Sequence, residues 1–220
     1  LLELHGRDMA EHRQDAIATP GFVANFHNCH RLTTVDAVKT KDGGWRFDFR
    51  RLARWVKLFD RLGFRLFELW HLAAQGHGQT CPPFTYLDEA TGRDVTRRGL
   101  STGSREYRRL VAAFLGALQT WCDRRRISDR FLLHVFDEPR REEWPRYARL
   151  SAMFREHAPR LRHLDAISTS ELMTEFGADI DIPVPLTPHV EHDAYYRARC
   201  AEGERPVWWY TCCGPSGRYS

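Results

Sequence analysis

Short apolar runs and longer stretches of helical periodicity follow one another along this chain. Residues 131–136 (FLLHVF) form an almost unbroken apolar run, which is typical of a strand covered on both faces of a parallel sheet. In residues 47–62 the apolar side chains instead recur at helical spacing, and Gly63 provides a stop signal. The pattern therefore predicts a chain in which buried strands alternate with amphipathic helices.

The same pattern predicts the remaining elements. Further strands are predicted at residues 21–28, 64–70, 164–168, 178–184 and 206–211. Further helices are predicted from the N-cap Ser104 to about residue 123, from 142 to 157, in a short piece near Ser170 and from about Pro188. Residues 75–103 are predicted as a long loop, and a loop of that length in a compact domain is usually functional.

Alternating strands and helices indicate the α/β class with a parallel sheet. A doubly wound nucleotide-binding sheet needs a glycine-rich turn, and the sequence contains neither GxGxxG nor GxxxxGK[ST]. A (β/α) barrel places its chemistry at the carboxyl ends of several strands, where His71, Asp137 and Tyr210 stand here. We therefore predict a TIM-type (β/α) barrel. About six strands are visible where a closed barrel has about eight, so we expect residues 1–220 to be a single barrel domain truncated at both ends, without its first and last strands.

Composition narrows the classes of protein further. The 220 residues are 42% hydrophobic and 12% aromatic, enough to fill a core, and no apolar run is long enough to predict a membrane span. The net charge of +4 comes from basic residues spread along the chain, which argues against a nucleic-acid partner. Six cysteines without a CxxC pair indicate neither a zinc knuckle nor a disulfide scaffold. Because the chain starts at Leu1 rather than Met, the compartment stays open, with a bacterial secreted or periplasmic location among the alternatives.

The first candidate site is a pair of carboxylates, Asp137 and Glu138, at the end of the most apolar strand. Burial beside aromatic residues and a neighbouring carboxylate both raise a carboxyl pKa, so one member of the pair is suited to donate a proton near neutral pH. The structural alternative is that Asp137 caps the following turn while Glu138 pairs with Arg140 or Arg141.

The second candidate site is the aromatic stretch Trp208, Trp209 and Tyr210 at the end of a late strand. Two Trp rings offer a flat floor for a sugar, and a Tyr hydroxyl orients a polar group of a ligand. Strand alternation places Trp208 and Tyr210 on one side and Trp209 on the other, so one Trp is expected in the core. Packing alone remains the alternative for all three.

Other polar residues are weaker candidates. His71 ends a predicted strand and is suited to a sugar contact or to a structural hydrogen bond. Asp181 either binds a sugar hydroxyl or pairs with an arginine, and Glu68 offers a further carboxylate in a buried strand. The 11 histidines include no HxH or HExxH motif, so neither a metal site nor a cofactor is predicted.

Three segments carry a resemblance to a known family. HVFDEP, IDIPVP and VWWYTCCGP, in that order, resemble the catalytic barrel of glycoside hydrolase family 123 and a related group of uncharacterised domains, over roughly residues 20–215. The resemblance implies retaining hydrolysis of terminal β-linked N-acetylgalactosamine, assisted by the acetamido group of the substrate. By position, it implies that Glu138 is the general acid/base and that Asp137 holds the acetamido N–H and stabilises the oxazolinium ion.

The spacing of the carboxylates agrees with this chemistry. An ordinary retaining glycosidase holds two carboxyl groups ~5 to 5.5 Å apart on opposite sides of the scissile bond, usually on different strands. A consecutive pair suits one acid on the leaving oxygen and one neighbour on the acetamido group, with Tyr210 on the acetamido carbonyl and a Trp beneath the sugar. A carbohydrate is therefore the expected partner. The alternatives are a two-carboxylate glycosidase that uses Glu68 as nucleophile on non-acetamido sugars, and a non-catalytic carbohydrate-binding barrel.

Overall fold

A computed structural model describes residues 1–23, 32–74, 78–167, 170–175, 180–187, 193–203 and 206–211. Its helices are α1 (Leu2–Glu11), α2 (Arg50–Arg61), α3 (Arg105–Arg125), α4 (Trp144–His157), α5 (Glu171–Glu175) and α6 (Ala194–Glu202). Its strands are β1 (Ala16–Thr19), β2 (Asp36–Lys39), β3 (Trp45–Asp48), β4 (Leu66–Leu69), β5 (Phe84–Asp88), β6 (Arg93–Arg97), β7 (Phe131–Leu133), β8 (Arg162–Ala166) and β9 (Ile182–Val184).

The central sheet contains five parallel strands in the order β1-β4-β7-β8-β9. Its strands follow their order along the chain, and at least one helix lies between each strand and the next. A single parallel bridge between Leu186 and Tyr210 continues that order beyond β9. The predicted α/β class with a parallel sheet is confirmed, whereas no closed barrel is seen in the described part of the chain.

A second sheet, β3-β2-β5-β6, is built from two hairpins. The β2–β3 hairpin lies between β1 and α2, the β5–β6 hairpin lies between β4 and α3, and β2 pairs with β5 in parallel. The prediction of one long loop at residues 75–103 is therefore wrong, because two strands lie within it. Most side chains of β6 are exposed, and the strand is held by its backbone pairing with β5, which a search for buried apolar periodicity does not detect.

Several predicted boundaries also move. The first strand is Ala16–Thr19 rather than residues 21–28, of which residues 24–28 lie outside the described residues. The run at 131–136 is a strand only as far as Leu133, because the backbone N–H of Val135 donates to the Asp165 carboxylate at 3.0 Å instead of to a neighbouring strand. At residues 206–211 the strand prediction reduces to the bridge at Tyr210.

The core lies on both faces of the central sheet. On one face, Phe114 on the buried side of α3 packs against the rings of Phe22 and Phe47. Helix α3 is capped as predicted, since the Ser104 side chain accepts a hydrogen bond from the backbone N–H of Tyr107. The opposite face carries a smaller apolar cluster of Leu132, Leu164 and Ile182, with Leu66, Val184 and Trp208 packed against it. None of the helices in the described ranges has the length and apolar character that crossing a membrane requires.

Candidate active site

His134 stands at the centre of a polar network at the C-terminal ends of the strands of the central sheet, which we call the carboxyl edge. It directly follows β7, with Glu68 on the neighbouring β4 and Asp165 on β8. Nδ1 of His134 lies 2.9 Å from Oε1 of Glu68, and its Nε2 lies 3.2 Å from Oδ1 of Asp165. Because the strands are parallel neighbours, residues distant in sequence meet at this edge.

The environment of this network changes the charge of its members. Asp165 is completely buried and accepts hydrogen bonds from the Val135 backbone and the Tyr147 hydroxyl. Burial raises the pKa of Asp165 to about 7, although the imidazole of His134 and these two donors oppose the rise. For His134 burial lowers the pKa, but the nearby carboxylates outweigh burial and raise it overall. The imidazole therefore keeps its proton to a higher pH than free histidine does.

His71 packs edge-on against His134, with 3.8 Å between the ring centroids. Burial, followed by the charge of His134, lowers the pKa of His71 to about 2, so this imidazole is neutral at physiological pH. The structure thus places His71 at the predicted edge of the sheet, in contact with a histidine that the sequence had not singled out.

Asp137 and Glu138 extend from the same edge into different surroundings. Asp137 is half-buried, and one of its oxygens lies within 4.8 Å of ring nitrogens of both His71 and His134. Glu138 is exposed and adopts a left-handed backbone conformation with φ of 46°, which is rare for a residue with a Cβ. The pair therefore stands at a sharp turn.

Glu138 and Tyr210 are in direct contact. The Tyr210 hydroxyl donates a hydrogen bond to Oε1 of Glu138, so the two candidate segments of the sequence meet. The structural alternative for Glu138 is not what the contacts show, since Arg141 pairs with Glu175 at 2.8 Å and the backbone N–H of Arg140 donates to Glu143 at 2.8 Å.

The two tryptophans differ in environment. Trp208 is half-buried against the apolar cluster of Leu132, Leu164 and Ile182, and its backbone N–H donates to the Pro183 carbonyl at 3.1 Å. Trp209 is 62% exposed. The two rings therefore differ in exposure as the sequence predicted, but neither Trp is fully buried in the core, and Trp209 is the ring that a ligand reaches most easily.

Asp181 lies at the N-terminal ends of the strands, opposite the carboxyl edge, immediately before β9 begins. Its Oδ2 accepts a hydrogen bond from the His163 backbone at 2.7 Å and pairs with Arg155 at 2.9 Å. This geometry favours the arginine-paired alternative, and the structure does not bring Asp181 together with Glu138.

Three side chains at the carboxyl edge of the sheet are of the types that bind metal ions. His71, His134 and Asp137 each offer one ligand atom, and the three atoms lie within 4.8 Å of one another. His71 follows β4, whereas His134 and Asp137 follow β7. A local sequence motif such as HxH therefore could not have predicted this set of ligands.

Sequence reasoning missed His134 and Asp165 as site residues. His134 is the one polar residue in the run FLLHVF, and Asp165 stands inside the buried strand RHLDA. An ionisable side chain inside an otherwise apolar strand was the available signal, because burying such a group is costly unless it is paired.

A known protein family matches nearly the whole chain. The family model described as "Glycoside hydrolase 123, catalytic domain" matches residues 1–219. The chain belongs to glycoside hydrolase family 123. The resemblance found in the three sequence segments is therefore confirmed.

A solved structure shares the family 123 fold. It belongs to a family 123 glycoside hydrolase from Clostridium perfringens, and its description concerns glycolipid glycan hydrolysis. The two structures have a TM-score of 0.72 at 14% sequence identity, over 97% of this chain and 38% of that chain. At this identity the likeness concerns the fold alone, and the chain spans well under half of that protein. Among curated proteins, none matches the chain significantly.

Proposed function

We propose that this chain is the catalytic part of a retaining glycoside hydrolase that releases terminal β-linked N-acetylhexosamine, specifically N-acetyl-β-galactosaminide. The observation that carries the proposal is the hydrogen bond from Tyr210 to Glu138, because it unites the candidate acid/base with the aromatic segment. Family membership supports the reaction class. The sequential parallel sheet supports the expectation that the chain forms most of a single (β/α) barrel domain.

The first step of the proposed reaction breaks the glycosidic bond. Glu138 donates its proton to the glycosidic oxygen, and the aglycone leaves as an alcohol. At the same time the carbonyl oxygen of the substrate's acetamido group attacks C1 and closes an oxazolinium ring. Asp137 accepts a hydrogen bond from the acetamido N–H and stabilises the positive charge that develops there. No nucleophile from the protein is needed.

The second step restores Glu138. Its carboxylate removes a proton from water, the resulting nucleophile attacks C1 from the face that the aglycone left, and the oxazolinium ring opens. The sugar is released with its original configuration. Tyr210, whose hydroxyl donates to Glu138, is proposed to turn towards the acetamido carbonyl, and Trp209 offers an exposed ring for the sugar face.

The surroundings of Asp137 suit this role. The two imidazoles of His71 and His134 lie beside its carboxylate, and Glu68 and Asp165 fix the ring of His134 from two sides. A side chain whose neighbours are held in this way keeps its orientation when the substrate enters, which lowers the cost of reaching the transition state. His71 accordingly supports Asp137 in this proposal.

The substrate is tested with the full-length protein on a panel of aryl glycosides. We expect hydrolysis of the aryl N-acetyl-β-galactosaminide, with the β-anomer as the first product detected by proton NMR, and little turnover of the matching β-galactoside. Glycolipid glycans ending in the same sugar form a second panel, suggested by the description of the Clostridium perfringens enzyme.

Two other outcomes would each point to a different function. Equal turnover of acetamido and plain β-galactosides would indicate a two-carboxylate enzyme, for which Glu68 on the neighbouring strand is the candidate nucleophile. Sugar binding without hydrolysis on either panel would indicate a carbohydrate-binding protein.

A further inference from the structure

Two histidines and one carboxylate converge where the segments after β4 and β7 meet. His71, His134 and Asp137 bring their ligand atoms within 4.8 Å of one another, and the centroids of the two imidazole rings are 3.8 Å apart. We propose that these three side chains bind a divalent transition-metal ion, with Zn²⁺ as the best fit, and that the ion inhibits the enzyme by occupying Asp137. The inhibition, though not the binding, rests on the function proposed above.

The types of ligand select the metal. Two imidazole nitrogens and one carboxylate oxygen form a set that Zn²⁺ takes in sites with three protein ligands and an open fourth position. Mg²⁺ and Ca²⁺ prefer oxygen ligands throughout. Bonds of about 2.0 to 2.1 Å place tetrahedral ligand atoms about 3.3 Å apart, so small side-chain rotations would close the arrangement around an ion.

Glu68 orients His134 for this task. Its Oε1 lies 2.9 Å from Nδ1 of the imidazole, which leaves Nε2 as the nitrogen available to a metal. Nε2 is buried and makes no hydrogen bond within the described ranges, since its 3.2 Å approach to Asp165 lacks hydrogen-bond alignment. Carboxylate–histidine–metal arrangements of this kind are usual in zinc sites, where the outer carboxylate fixes the ring and strengthens the ligand.

Charge also favours a dication at this position. Glu68 and Asp165 both contact the His134 ring, and Asp137 lies beside it, so three carboxyl groups lie around this one imidazole. A divalent ion offsets this negative charge in a partly buried site where water screens it poorly.

The consequence for catalysis follows from the double use of Asp137. A carboxylate that coordinates Zn²⁺ cannot accept the acetamido N–H at the same time. The ion and the acetamido group of the substrate therefore compete, and we expect inhibition that high substrate concentration or a chelator reverses.

Binding is measured first, without reference to activity. The full-length protein is freed of metal with EDTA, dialysed, and titrated with Zn²⁺ against a chromophoric zinc indicator. We expect one bound equivalent, and replacement by Co²⁺ should give the intense visible absorption of a tetrahedral site. Mg²⁺ in excess should leave Zn²⁺ binding unchanged.

Variants locate the ion. His71→Gln and Asp137→Asn should each lower the Zn²⁺ affinity at least 10-fold, and Glu68→Gln, which keeps a partner for His134 but loses the charge, should lower it about 10-fold to 100-fold. His163→Gln is the control, because His163 is buried near the opposite edge of the sheet. Thermal unfolding is recorded for every variant, and His71→Gln decides the matter if the Glu68 variant does not fold.

The outcomes separate the metal site from the proposed function. Unchanged Zn²⁺ affinity in folded His71→Gln and Asp137→Asn, or no stoichiometric binding at all, would overturn the metal site even in an active enzyme. Zn²⁺ binding that these substitutions abolish would support the site even if every glycoside tested remained intact. Zn²⁺ inhibition of aryl N-acetyl-β-galactosaminide hydrolysis by the wild type, reversed by a chelator and relieved at high substrate concentration, would support both.

Discussion

The hydroxyl of Tyr210 donates a hydrogen bond to Oε1 of Glu138, a residue 72 positions earlier in the chain. Tyr210 is held in place through its backbone, whose N–H donates to the Pro185 carbonyl at 3.2 Å. Glu138 is held by a turn in the left-handed region. Two different constraints therefore bring a carboxyl group and a phenolic hydroxyl together where the C-terminal ends of the strands lie.

Removing the hydroxyl tests whether this contact serves catalysis. In Tyr210→Phe the ring remains and the donor is lost, so we expect kcat on the aryl N-acetyl-β-galactosaminide to fall about 100-fold, as for other donors that stabilise a transition state. The temperature of unfolding should hardly change, because Glu138 is exposed. Tyr86→Phe, on the second sheet, is the matched control. Wild-type kcat in Tyr210→Phe would remove Tyr210 from the mechanism.

Glu138→Gln tests the acid/base role through the leaving group. An amide cannot protonate the glycosidic oxygen, so we expect turnover of a natural glycan to fall about 10²-fold to 10⁴-fold. An aryl glycoside with an acidic phenol should lose less in its first step, since that leaving group departs without protonation. Glu142→Gln, at an exposed position in the following turn, should behave as the wild type. Equal losses with both leaving groups would argue against general acid catalysis by Glu138.

Asp137→Asn tests the contact with the acetamido group separately from the chemistry. A thiazoline analogue of the oxazolinium intermediate places a positively polarised N–H where Asp137 is proposed to accept it. Loss of this charge-assisted hydrogen bond should weaken binding of the analogue about 10-fold to 100-fold in a calorimetric titration. Asp94→Asn, at an exposed position on β6, is the control. Unchanged affinity in Asp137→Asn would place the acetamido group elsewhere.

The left-handed backbone conformation of Glu138 should lower the stability of any variant that keeps a Cβ at this position. At φ of 46° glycine avoids the steric cost that any side chain carries. We therefore expect Glu138→Gly to be about 1 kcal/mol more stable to urea than Glu138→Ala, while both lose activity. The comparison with Ala matters because both variants lose the contact with Tyr210. A more stable Ala variant would show that the left-handed turn carries no strain.

Buried histidines make the fold sensitive to acid. Burial, assisted by Arg155, lowers the pKa of His163 to about 3 from an ordinary value of 6.5. A group with a depressed folded pKa destabilises the fold as the pH falls below its unfolded value, and the loss continues down to the folded pKa. Between pH 7 and pH 5 this amounts to about 2 kcal/mol for one buried imidazole.

His163→Gln should therefore lose about 2 kcal/mol less than the wild type when urea unfolding is compared at pH 7 and pH 5. Gln keeps a polar group near the Ser151 hydroxyl, which contacts Nδ1 of His163 at 3.1 Å. The remaining slope should include His71, whose pKa is lowered in the same direction. An identical slope in variant and wild type would mean that His163 does not control the acid sensitivity.

Some features of the molecule could be predicted from the local sequence. Buried runs such as FLLHVF and the periodic segments between them predicted a parallel α/β sheet, and the Ser104 cap was placed correctly. Strand β6 could not be predicted, because its side chains are mostly exposed and it is held by backbone hydrogen bonds to β5. The same holds for the site. Asp137 and Glu138 follow a recognisable apolar run and Tyr210 lies in a recognisable aromatic segment, whereas the partners of His134 lie on other strands.

The sequence by itself determined that buried strands alternate with helices in a parallel sheet and that a carboxylate pair follows the most apolar run, because burial produces a periodic pattern of apolar residues. Only the tertiary structure decided which groups meet: Tyr210 with Glu138, His134 with Glu68 and Asp165, and Asp181 with Arg155 at the other edge of the sheet. The physical reason is that hydrogen bonds and ion pairs act over a few ångströms in space. The register of parallel strands, which local periodicity does not encode, sets those distances.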